Sequence, residues 1–145
     1  MRRIYALSLA GGLVLAASAF LPWLRLGDVG LAGVPDPAGF FILALGALAV
    51  GLSVVGLRGR RNPRQLLVLA GIAALTTLVV VWRTGPATIA ERAQVHAEAV
   101  ALVDNVPALP MPPAGVGVGL WIGMAGAAAV AAAGLTGIRT EASRS

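Results

Sequence analysis

The sequence predicts an all-α integral membrane protein: four transmembrane helices as two tandem-duplicated hairpins, plus an amphipathic helix in the second outer loop. Three observations predict it. Apolar residues make up 58% of the 145-residue chain and charged ones 12%, with mean hydropathy +0.87, a balance unlike that of a soluble domain. Four runs without a charged residue, Ile4–Leu24, Ala38–Leu57, Leu66–Trp82 and about Leu120–Ile138, are long enough to cross about 30 Å of hydrocarbon at about 1.5 Å per residue. The chain also repeats itself. Leu9-Ala10-Gly11 followed by Trp23, Arg25 and Gly27 matches Leu69-Ala70-Gly71 followed by Trp82, Arg83 and Gly85. Pro37-Ala38-Gly39 opens a run closing at Gly56-Leu57-Arg58, and Pro113-Ala114-Gly115 opens one closing at Gly137-Ile138-Arg139. This is the signature of a duplicated hairpin. One membrane domain, 1–145, follows, with repeat 1 over about 1–59, repeat 2 over about 60–139 and a short tail at 140–145.

Lipid offers the backbone no hydrogen-bond partner, so each run should be helical. The first carries a rival reading. Arg2-Arg3, an apolar stretch and Ala17-Ser18-Ala19 resemble a cleavable secretory signal. The run continues past Ala19 to Leu24 and matches the third run, so the uncleaved form is the stronger expectation. The first outer loop, Arg25–Pro37, is short and glycine-rich. Asp36 as N-cap and Pro37 at the first helical position open the second span. Arg58–Gln65 is a tight basic turn. The third span is the shortest and extends back towards Pro63. In the second outer loop, Pro86–Asp104 lacks internal Gly and Pro, and Ile89, Ala93, His96, Val100 and Val103 recur at helical spacing. That predicts an amphipathic helix lying on the outer surface of the bundle. Pro107, Pro110, Pro112 and Pro113 then form a stiff return to the membrane. Small residues lie four apart in three runs (Ser8, Gly12, Ala16; Ala47, Gly51; Gly119, Gly123, Ala127, Ala131), a pattern that permits close helix contact within or between chains.

Charge sets the direction. Arg2, Arg3, Arg58, Arg60, Arg61, Arg64, Arg139 and Arg144 share one side with a single acid, Glu141, while Arg25, Arg83 and Arg92 face five acids on the other. Both termini are therefore expected in the cytoplasm. The net charge of +5 reports topology, not nucleic-acid binding. Trp23, Trp82 and Trp121 fall at the outer interface as anchors of an aromatic belt, joined by Phe40 and Phe41. Arginine without lysine points to a GC-rich bacterial source, hence an inner membrane.

Chemistry is sparse. The absence of Cys removes thiolate metal sites and disulfides. No ionisable group lies inside a span, which argues against a secondary transporter or proton-coupled pump. Ser8, Ser18, Ser53, Thr76 and Thr77 are expected to bond helix backbone. His96, the single histidine, has no partner at metal-ligand spacing, and a packed or interfacial role outweighs a chemical one. Arg25 and Arg83 hold matching places after their tryptophans. They could bind anionic headgroups or an acidic partner, though snorkelling and pairing with Asp28 or Asp36 is the stronger reading. Gly115, Gly117 and Gly119 lack the strand–helix setting of a nucleotide loop. No catalytic, metal or cofactor-binding residue emerges. Candidate interaction residues are Arg25, Arg83, Arg92, His96, Gly119 and Gly123.

Phe20-Leu21-Pro22-Trp23 at the outer end of the first span, with two hairpins and basic inner loops, resembles small uncharacterised four-span membrane proteins of actinobacteria. The layout is similar to that of the tryptophan-operon-associated membrane proteins, where a Trp closes the first span. The resemblance implies an inner-membrane location and no known activity. The leading functional expectation is a non-enzymatic accessory or scaffold subunit binding another membrane protein or itself. The alternative is a lipid- or quinone-binding protein with an outer-leaflet site between the hairpins, and a membrane enzyme ranks third.

Overall fold

In a computed structural model of the chain, residues 2–59 and 63–142 are described, apart from the side chains of 137–142. Arg60, Arg61 and Arg144, counted above toward the basic side, lie outside the described residues, as does the side chain of Arg139. Four helices and three short strands follow in the order α1 Arg2–Ser18, β1 Pro22–Leu26, β2 Val29–Ala32, α2 Pro37–Leu57, α3 Arg64–Asp104, β3 Ala114–Val116 and α4 Val118–Ala142. Three of the helices are long and apolar enough to cross a membrane: Pro37–Leu57, Arg64–Asp104 and Val118–Thr136 within α4.

The first run does not continue as helix to Leu24. α1 stops at Ser18 after 17 residues. Pro22 has no backbone donor and biases Leu21 away from the helical region. The N–H groups of Ala19, Phe20 and Leu21 donate three residues back, to Ala16, Ala17 and Ser18, so the chain leaves in a tight turn. The glycine-rich loop that follows is also more ordered than a loop. β1 and β2 form a hairpin in which Leu26 faces Val29, closed by Gly27-Asp28. Gly27 has φ 61°, which a two-residue hairpin turn with Gly first requires. β3 adds to the other side of β1, giving a three-stranded antiparallel sheet in the order β2-β1-β3.

The third run and the outer amphipathic segment are one element, not two. α3 runs 41 residues with Pro86 inside it. Its last fully buried residue is Leu78, so the half beyond the sheet continues outward as exposed helix and does not lie across the bundle. Asn105 ends it in the left-handed region (φ 52°), where Asn is tolerated and the last carbonyls can be capped. The N–H groups of Asn105 and Val106 both donate to the Ala101 carbonyl. As expected, Asp36 caps α2, its side chain accepting from the Ala38 N–H at 3.0 Å, and α3 starts at Arg64 directly after Pro63.

The helices form an antiparallel ring. α1 packs on α2 and α4, α4 on α3, and α2 with α3 make the least extensive of these seams. Glycines set the spacing. A Cβ on Gly46 would lie 2.7 Å from the Ala16 backbone nitrogen, and one on Gly71 2.6 Å from that of Ala131. Helix backbones thus touch within this chain, as small-residue faces allow. Ala47 and Gly51 are the exception, lying exposed on α2. The core holds Leu15, Trp23, Ile42, Leu78 and Leu120 near the sheet and Tyr5, Leu67 and Val130 near the other end. The Ser18, Ser53, Thr76 and Thr77 hydroxyls donate to carbonyls of their own helices. The Ser8 hydroxyl is buried without a hydrogen-bond partner. Large apolar side chains such as Phe40, Phe41, Leu48, Leu69, Ile72 and Val80 face outward, as lipid contact requires of such helices.

Candidate functional site

The sheet end of the bundle carries a half-enclosed cavity of about 530 Å³. Its first wall comes from the hairpin, through Trp23, Leu24, Leu31 and Gly33. The β1–β2 register shifts between Pro22 and Leu24, a bulge of the kind that re-aims a side chain. Trp23 is only 3% exposed, and its indole N–H donates to the Ser18 carbonyl at 2.7 Å. Gly33 lies against its ring: a Cβ there would be 2.6 Å from Trp23 Cε2.

The floor is the segment Pro35-Asp36-Pro37-Ala38. It is held in place by the Val34 N–H donating to the Ala19 carbonyl and the Asp36 N–H donating to Gly33. The second wall is one face of α3, formed by Val81, Thr84, Gly85, Thr88, Ile89 and Arg92. Residues three and four apart share a helix face, so this stripe is a direct product of α3 continuing past Pro86. Gly85 lets the Leu24 side chain approach, since a Cβ there would meet it at 2.9 Å. The hydroxyls of Thr84 and Thr88 donate to the carbonyls of Val80 and Thr84.

The cavity thus joins the loop of the first hairpin to the long helix of the second. Asp36 and Arg92 are its two charged lining residues. Both are exposed, and among the described residues no ion pair joins them.

Of the expected residues, Trp23 and Arg92 belong to this cavity. Arg25 lies on β1 opposite Gly30 and Gly115 and is exposed. Arg83 is nine residues before Arg92 and therefore on the opposite side of α3. Its guanidinium carbon sits 5.8 Å from the Trp82 ring centroid, within cation–π range. Trp82 and Trp121 meet with centroids 6.0 Å apart at 59° and are 40% and 53% exposed. Two tryptophans therefore sit on the surface as interface anchors would, whereas Trp23 is a core residue.

His96 is exposed on the C-terminal half of α3 beside Arg92, Val95 and Ala99. No group of three or more potential metal ligands occurs among the described residues. Gly119 and Gly123 face the bundle interior, against Leu21 and against Ser18 and Leu78 respectively. The residues that sequence reading missed are Leu31, Gly33, Asp36, Thr84 and Thr88. The four-residue spacing of Thr84, Thr88 and Arg92 was the available signal. Comparison of the chain with protein-family models, with curated proteins and with solved structures finds no match.

Proposed function

We propose that the chain is a four-span protein of a bacterial inner membrane with both termini cytoplasmic, built from a duplicated hairpin, and that it serves as a non-enzymatic accessory or scaffold subunit. Its partner is another membrane protein or a second copy of itself. In support of four spans, α1 packs between α2 and α4 and the turn after it lengthens the apolar column. The duplication rests on the repeated sequence motifs; the motif glycines differ in setting, Gly11 meeting Ala129 of the other hairpin and Gly71 meeting Ala131 of its own.

The observation that carries the partner reading is the outer half of α3. Leu102 and Val103 are 83% and 84% exposed on a segment that reaches about 30 Å past the sheet. A benzophenone attached at Leu102→Cys tests it, because the chain has no other cysteine. Irradiated native membranes should give one discrete crosslinked species. Ala97→Pro, which costs about 3 kcal/mol of local helix, should abolish that species without changing membrane insertion. A crosslink indifferent to Ala97→Pro would refute the reading. The cavity favours a second reading, a lipid- or quinone-binding protein whose site lies between the hairpins on the outer side.

A further inference from the structure

The chemistry of the cavity points to one ligand class, an inference that rests on that second reading. We propose that it binds a zwitterionic glycerophospholipid with a primary-amine headgroup. The phosphate pairs with the Arg92 guanidinium, the ammonium with the Asp36 carboxylate, and an acyl chain lies against Trp23, Leu24, Val81 and Ile89. Two observations carry this. The cavity presents one cation from its α3 wall and one anion from its floor, not joined to each other. A zwitterion satisfies both; a phosphatidylglycerol headgroup leaves Asp36 facing a like charge, which is costly. The Thr84 and Thr88 protons are already committed to helix carbonyls. A quinone would therefore rely on Arg92 for hydrogen bonding and leave Asp36 unmatched.

Size and place agree. About 530 Å³ is within the usual range for ligand sites and holds a headgroup, glycerol and the upper part of one chain. The remainder of the chain follows the α2–α3 seam below, the least extensively packed of the ring. An amine that donates hydrogen bonds suits Asp36, whose one oxygen Oδ1 already caps Ala38 while the other remains to accept. A quaternary choline has no such donor.

Native mass spectrometry of the full chain in detergent tests the proposal. The probes are dioleoyl phosphatidylethanolamine, the matching phosphatidylcholine and phosphatidylglycerol, a ubiquinone and inorganic phosphate. Phosphatidylethanolamine should be retained most strongly. Arg92→Ala should weaken it by roughly tenfold, the loss of one charge-assisted contact. Asp36→Asn keeps the N-cap but should erase the preference over phosphatidylcholine and phosphatidylglycerol. Arg92 is exposed, so an unchanged thermal transition will show that Arg92→Ala remains folded. Lipid retained without regard to either substitution, or displaced by inorganic phosphate alone, overturns the headgroup assignment and leaves the second reading standing. A wild-type protein that retains neither lipid nor quinone overturns both.

Discussion

Trp23 follows a proline on the central strand of a small three-stranded sheet and is still buried to 3% exposure. The bulge beside it turns the ring inward, Ser18 accepts its N–H, and Gly33 leaves the space it occupies. A methyl group at Gly33 has no room against the ring, where the gap would be 2.6 Å. Gly33→Ala is expected to cost about 1–3 kcal/mol through overpacking, read as a lower midpoint of thermal unfolding in detergent. Trp82→Ala, on the exposed pair with Trp121, should cost no more than the pair itself, about 0.5–1.5 kcal/mol, plus surface contact with detergent. Equal midpoints for Gly33→Ala and wild type would show that the ring is not held as described. Sequence position alone placed all three tryptophans at the interface. Burial separates them because Pro22 ends α1 one turn early and sends Trp23 into a strand, while Trp82 remains helical.

At the level of elements, α3 decides what the sheet end of the bundle can do. Pro86 lacks the N–H that would reach Trp82, and its ring crowds that carbonyl, yet the helix continues to Asp104. Nitroxides at Leu66→Cys and Leu102→Cys should lie about 54 Å apart if the helix is unbroken. A break at Pro86, with the second half lying across the bundle, would bring them to about 40 Å or less. Dipolar distance measurement separates the two. The helical character of both halves was legible, from the uncharged run and from the spacing of Ile89, Ala93 and Val100, though Val100 and Val103 of the expected apolar face are exposed. Their fusion was not, because proline is as compatible with a first helical turn as with an interrupted interior. Asp36 was legible as a cap, though not as a cavity wall. The stripe Thr84, Thr88, Arg92 was hidden because it straddles the proline taken as a boundary. The sheet was hidden because Leu24 read as the end of a span, Leu26 and Leu31 as part of a glycine-rich loop, and β3 is three residues long.

For the whole molecule, the antiparallel ring puts the ends of α1 and the starts of α2 and α4 together around the sheet, with the Arg58 turn at the other end. Labelling of intact cells with an impermeant thiol reagent should modify Glu98→Cys and spare Arg58→Cys. The reverse pattern would invert the orientation. The ring was legible from four uncharged runs. The assignment of its small-residue faces needed the structure, since four-residue spacing is the same whether the neighbour is in this chain or another. Those runs, 4–24, 38–57, 66–82 and 120–138, hold no Asp, Glu, Lys, Arg or His. An elementary charge carried through 100 mV exchanges about 2.3 kcal/mol with the membrane potential. Within those runs the field has no side-chain charge to act on, so its leverage falls on the groups at their ends, foremost Arg64, which is 3% exposed at the start of α3.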